Sequence, residues 1–227
     1  MRIIAHRGAH EPESPGVREN TVEAFRRAAG ADGVELDVRR TADGALVVHH
    51  EPGPPGLPPI AESTRAELPA WLPSLAGALD ACQGLAVVHV EIKASPLEPG
   101  YDATPGFATA VVAELEGSGR DVVVSSFNLV TLDAVRAAGP SLPTAWLTIR
   151  GFDQARAARD AAAHGHGGIN PPYLDVTPEL VDLARALGLQ VNTWTVNDDA
   201  SLLRMRAAGV DAIVTDVPAR ARALLGA

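Results

Sequence analysis

The chain holds one cysteine, Cys82, which excludes an internal disulfide and any cysteine-based zinc site. Lysine is as scarce: among nineteen basic residues, Lys93 is the only lysine. A chain that uses arginine everywhere else singles out this position for an ammonium group. Aromatics make up 4% of the sequence, so the core must be built from aliphatic side chains. Positive charge is not in excess either. The formal net charge of -9 speaks against a nucleic-acid partner, because phosphate backbones are bound by basic surfaces. No apolar run approaches the ~20 residues of a membrane helix. Nothing at the N-terminus reads as a signal peptide. The expectation is a protein of the reducing cytoplasm, without membrane insertion. The chain also lacks a G-x-S-x-G nucleophile elbow, a Walker-type phosphate loop, internal repeats and heptads. His89-Val90-Glu91 opens like a zinc deaminase motif, but the paired cysteines that motif requires are absent.

What is present is a regular alternation. A chain of 227 residues fits one domain of the α/β-barrel size class. Short β-rich runs are expected at residues 2–5, 33–38, 86–92, 121–125, 144–147, 167–170, 190–194 and 211–214. Alanine-rich helical stretches separate most of them, for example 21–29, 107–115, 128–138, 178–187 and 200–208. Gly30, Gly139, Gly188 and Gly209 stand where such helices stop. Thr177-Pro178 reads as an N-cap with proline at the first helical position. Parallel strands alternating with helices predict a distorted (β/α)8 TIM barrel.

A ninth strand, 45–50, breaks the alternation. Only six residues separate it from the second strand, too few for a crossover, and Asp43-Gly44 is a hairpin signal. The chain therefore folds back as an antiparallel hairpin, which is expected to return His50 to the level of Glu35. Glu51 to Pro59 is rich in proline and glycine and reads as a loop over the same end of the barrel.

The chemistry-bearing residues gather early. His6-Arg7-Gly8, Glu19-Asn20-Thr21, Glu35-Leu36-Asp37 and His50-Glu51 all fall within the first 51 residues. Carboxylates two apart on a strand share a face, so Glu35 and Asp37 can share one divalent cation. Glu91-Ile92-Lys93, Ser126-Phe127, Trp194-Thr195-Val196-Asn197 and Gly209 through Asp216 follow. In this order the set resembles the glycerophosphodiester phosphodiesterase family, across nearly the whole chain.

The resemblance implies metal-dependent hydrolysis of glycerophosphodiesters to an alcohol and sn-glycerol 3-phosphate. His6 and His50 would be the general acid and base, with His50 the favoured acid. Glu35, Asp37 and Glu91 would hold the cation, and an all-oxygen set suits Mg²⁺ or Ca²⁺. Arg7 and Lys93 would bind the phosphate's free oxygens, while Phe127 and Trp194 would line the pocket. Glu19 and Asn20 are expected to cap the first helix and orient His6. The expected partner is a small-molecule substrate; the oligomeric state is not fixed by these residues. The whole of 1–227 reads as one phosphodiesterase barrel, with 51–85 a shortened form of the family's usual insertion. Two further departures are Arg18 where the family usually has proline, and Glu51 where it usually has aspartate. Two rival readings follow from the same residues: a Schiff-base aldolase built on the sole lysine, and a barrel that binds glycerophosphodiesters without cleaving them.

Overall fold

The computed structural model describes residues 1–226. Eight parallel strands run β1 (Arg2–His6), β2 (Gly33–Arg40), β4 (Val87–Ile92), β5 (Val122–Ser126), β6 (Thr144–Leu147), β7 (Gly168–Asn170), β8 (Gln190–Thr193) and β9 (Ala212–Thr215). Each pairs with the next, and β9 pairs with β1, so the sheet closes. The remaining strand, β3 (Leu46–Val48), lies antiparallel on the last three residues of β2, outside the closed ring. The helices are α1 (Val22–Arg27), α2 (Leu75–Ala81), α3 (Gly106–Ser118), α4 (Leu129–Ala138), α5 (Gln154–Ala163), α6 (Pro178–Ala186), α7 (Asp199–Ala208) and α8 (Pro218–Leu225). None of the described helices is long and apolar enough to cross a membrane.

Local chemistry accounts for these elements. Val, Ile and Leu dominate the strands, which are buried on both faces as parallel strands require. The side chains of Thr21, Ser74, Asn128, Asp153, Thr177 and Asp198 each accept a backbone N–H in the first turn of a helix. Such a cap contributes about 1 kcal/mol. Helices pack on the barrel's outer surface through two aliphatic clusters, one on Leu36, Val90 and Phe25, the other on Ile169, Leu202 and Ile213. Ile4, Val87, Ala212 and Val214 form a third.

The hairpin differs from its expected register. Thr41 N–H donates to the Ala45 carbonyl and Gly44 is left-handed (φ 85°), so residues 42–44 form a three-residue loop. Val38 faces Val48 and Arg40 faces Leu46. Continued by that count, His50 stands opposite Leu36, not Glu35. The strand also stops early, at Val48. The buried Arg39 guanidinium takes the His49 and His50 carbonyls as acceptors at 3.2 and 3.0 Å, diverting them from the ladder.

Register sets the catalytic end. His6 lies beside Glu35, and Asp37 beside Glu91, on three adjoining strands. His6 and Glu91 lie at the C-terminal ends of β1 and β4, and the register brings Glu35 and Asp37 of the longer β2 level with them, at the face where barrels of this class carry their sites.

Candidate active site

β1 ends at His6, and the chain then turns through left-handed conformations at Arg7 (φ 54°) and Gly8 (φ 87°). A Cβ on Gly8 would lie 2.7 Å from the Ala24 backbone, so α1 packs against bare main chain there. The turn aims the Arg7 N–H at Glu35 Oε2, 3.1 Å away. Asn20 is also left-handed (φ 53°), and its N–H donates to the Arg7 carbonyl at 2.9 Å. Non-glycine residues in this region cost of order 1–3 kcal/mol each and persist where the surroundings over-determine them. Here the two stabilise one another.

Glu19 and Asn20 have a different task from the one expected. Thr21 caps α1, and Asn20 Nδ2 donates to Asp37 Oδ2 at 2.7 Å. Glu19 receives the Arg7 guanidinium at 2.9 Å, which also lies 3.3 Å from Asp37. Neither residue orients His6. That role belongs to Asp216, whose Oδ1 is 2.6 Å from His6 Nδ1.

Glu35, Asp37 and Glu91 are all buried, and one oxygen from each lies within 4.8 Å of the others. Lys93 Nζ stands 2.8 Å from Asp37 and 2.6 Å from Glu91. Burial works against the Asp37 carboxylate, but Lys93, Arg7 and His50 outweigh it and hold the group far below its usual range. The other two are left short of positive charge. Burial, then Asp37 and Glu91, push Glu35 well up, and burial with Asp37 pushes Glu91 to about 7 despite Lys93. Glu35 Oε1 is buried with no hydrogen-bond partner among the described residues. A third carboxylate with an orphaned oxygen, in an all-oxygen set, fits a hard divalent cation. At ~4 Å and an effective dielectric of ~20, one like-charge pair there costs about 4 kcal/mol without one.

The two histidines share a construction. His50 Nδ1 lies 2.8 Å from Glu51 Oε1, as His6 Nδ1 lies by Asp216. Each ring therefore has a carboxylate at Nδ1, and both residues line one cleft. His6 Nε2 stands 3.9 Å from Glu35. Burial, with Lys93, lowers His50 below its ordinary 6.5. Asp216 is opposed by its own burial, yet His10, His6 and Asn197 keep it strongly ionised.

The cleft is walled by Phe127, Leu147 and Trp194, with His89 and Asn170 also in its lining. Phe127 and Trp194 meet edge to face at 5.5 Å, and Trp194 Nε1 donates to the Asn170 carbonyl. All nine residues expected at the site lie on or directly against this cleft; Asp37 reaches it through Lys93. His49 turns away to meet Trp71 at 5.9 Å. Lys93 is an ammonium held between two carboxylates and pushed up by them against its burial. Schiff-base lysines need the opposite shift.

Asp216 is the residue that sequence reasoning left out. It follows β9, and closure of the barrel puts β9 beside β1 with Ala5 facing Thr215. Thr215-Asp216 at the last strand end was the available signal.

A sequence model of the glycerophosphoryl diester phosphodiesterase family matches residues 6–69 and 85–220. The unmatched 70–84 falls in the segment read as shortened and includes α2. A glycerophosphodiester phosphodiesterase of Caldanaerobacter subterraneus is 32% identical, over 95% of this chain and 94% of that protein. One from Bacillus subtilis is 28% identical, over 95% and 83%. The crystal structure of a glycerophosphodiester phosphodiesterase from Parabacteroides distasonis superposes with a TM-score of 0.84 at 26% identity, covering 99% of this chain and 96% of that one. The chain belongs to the glycerophosphoryl diester phosphodiesterase family, and its activity is that of a phosphodiesterase.

Proposed function

We propose that the chain works as one barrel domain that cleaves glycerophosphodiesters to an alcohol and sn-glycerol 3-phosphate by histidine acid/base catalysis assisted by a divalent cation. The observation that carries this reading is the pair of histidines, each backed by a carboxylate at Nδ1, on one cleft with Lys93 and the three buried carboxylates. Glu35, Asp37 and Glu91 would hold Mg²⁺ or Ca²⁺. Bound there, the ion would supply positive charge to a phosphodiester oxygen.

The chain's own groups do the rest. Arg7 and Lys93 bind the non-bridging oxygens and stabilise the charge that grows on them. One histidine takes the proton from the attacking oxygen, either the glycerol 2-hydroxyl or water, as that oxygen bonds to phosphorus. The other donates a proton to the leaving alkoxide as its P–O bond breaks. Attack by the 2-hydroxyl would form a cyclic phosphate, which water then opens. Phe127 and Trp194 form an apolar wall against the substrate's carbon skeleton. A carboxylate at Nδ1 leaves Nε2 to exchange the proton in either role.

The test is release of glycerol 3-phosphate from glycerophosphocholine, with EDTA and then with added Mg²⁺ or Ca²⁺. Wild type is compared with His50→Ala and Glu35→Ala. Cation-dependent turnover lost in both variants supports the reading. Turnover that survives EDTA and Glu35→Ala removes the cation from it. Absence of turnover on every glycerophosphodiester, with folded protein and cation present, favours a binding protein instead.

A further inference from the structure

A second group of metal-ligating side chains lies at the opposite end of the barrel. His164 is the C-cap of α5, His166 precedes β7, and Asp133 projects from α4. One donor atom from each lies within 4.8 Å of the others. His164 Nδ1 stands 3.0 Å from both Asp133 oxygens, and the two imidazoles stack at 6.1 Å with 12° between their planes. The turn that brings them together needs Gly165, whose φ is +77° and whose Cβ would meet the Arg136 guanidinium at 2.8 Å.

His166 is the independent observation. Its side chain is 0% exposed, and Nε2 has no hydrogen-bond partner among the described residues, yet it points at Asp133 from 3.5 Å. The other ring nitrogen, Nδ1, is held by Thr144 Oγ1 at 2.9 Å. With the Thr144 hydroxyl accepting the Nδ1–H, Nε2 would carry the lone pair, the arrangement that supports a metal-bound histidine. Burial favours the neutral ring that a metal requires.

We propose that Asp133, His164 and His166 form a transition-metal site, distinct from the catalytic carboxylates, that takes Zn²⁺. Two imidazoles and one carboxylate suit Zn²⁺ and disfavour Mg²⁺ and Ca²⁺, which prefer all-oxygen sets. Three protein ligands leave a fourth position to water, and the exposed edges of His164 and Asp133 give solvent access to it. The ion would clamp α4 to the turn before β7. The Arg136 charge beside Gly165 limits affinity, so Arg136→Ala tightens binding.

The experiment is titration of the whole protein with Zn²⁺ against a chromophoric chelator, with excess Mg²⁺ present for the carboxylates. Wild type, His164→Ala and Thr144→Val are compared, and circular dichroism checks that each is folded. The expected result is one Zn²⁺ lost from the exposed-residue variant His164→Ala and bound about 10–100-fold more weakly by Thr144→Val. Zn²⁺ should also raise the melting temperature of wild type but not of His164→Ala. His6, His10 and Asp216 form a similar trio at the catalytic end. Zn²⁺ affinity unchanged in His164→Ala would assign the ion there or to the carboxylates and overturn the proposal. Failure of phosphodiesterase activity would not bear on it, because every readout is binding or stability.

Discussion

His6 and His50 open on the same cleft, but different kinds of structure hold them. His6 closes a barrel strand, with β2 and β9 paired on either side. Its carboxylate partner, Asp216, is fixed in turn by Asn197, whose Nδ2 donates to it at 2.6 Å and whose Oδ1 accepts its N–H at 2.9 Å. His50 stands beyond the end of β3, and its partner Glu51 has a side chain 66% exposed. What steadies His50 is its own carbonyl, gripped by the buried Arg39, which pairs with Glu98 at 2.6 Å. On one side, closure of the fold sets the position. On the other, a single guanidinium does.

The largest test of that contrast removes each ring. His6→Ala and His50→Ala should each lower kcat by about 10²–10⁴-fold, the usual worth of a general acid or base. Measured with saturating substrate and cation, near-wild-type turnover in either variant would leave only one catalytic histidine. The partners should separate more sharply. Asp216→Asn breaks a partly buried network in which an ionised carboxylate fixes a tautomer, and should cost on the order of 10²-fold or more. Glu51→Gln removes a solvent-screened partner and should cost less than about 10-fold. Equal losses would mean that the exposed carboxylate orients its ring as firmly as the partly buried one.

The same contrast divides what was legible in the sequence. Strand positions, the antiparallel hairpin and the shared face of Glu35 and Asp37 follow from period-two patterning and glycine punctuation, whereas Glu91 came from the family resemblance. β2 extends to Arg40, and its first strand-mate facing Glu35 is His6, as alternation demands. Asp216 was hidden because its partner is 210 residues away, and only closure of the ring joins them. The hairpin register was hidden for a shorter-range reason. Asp43-Gly44 marks a turn but does not say which residues form its loop: a two-residue loop there would set His50 opposite Asp37, and the three-residue loop sets it opposite Leu36. Arg39 gave no signal at all, since a strand arginine ordinarily reads as surface. The histidines of the opposite face read as core or surface singly; their stacking depends on the left-handed turn at Gly165.

The pH profile sharpens the contrast further. Burial, then Lys93, hold His50 below 6.5 in the free protein. As the acid, it must be protonated, so kcat/KM should fall as pH rises through that lowered value. His50→Ala should erase that limb, and Lys93→Gln should move it to higher pH by removing one of the depressing charges. A limb that instead rises with pH across this range would make His50 the base. Asp216 adds nothing to this limb, because it stays ionised well below the same range.

The smallest effect concerns a contact between the two regions. Arg18, in the loop that follows β1, lays its guanidinium carbon 4.0 Å over the Trp71 ring. Trp71 meets the edge of His49, whose N–H donates to the Asp37 carbonyl at 2.9 Å. Arg18 thus clasps the 51–85 segment to the β1 side of the site. Exposed cation–π pairs contribute about 0.5–1 kcal/mol. Arg18→Ala should therefore lower stability in urea by about that amount and leave kcat within about twofold, because Arg39 still holds the His50 carbonyl. A kcat loss as large as that of Asp216→Asn would show that the guanidinium at 39 is not sufficient to place His50. The hairpin side would then depend on contacts spread across the loop, and the division between a histidine set by the fold and one set by a single residue would fail.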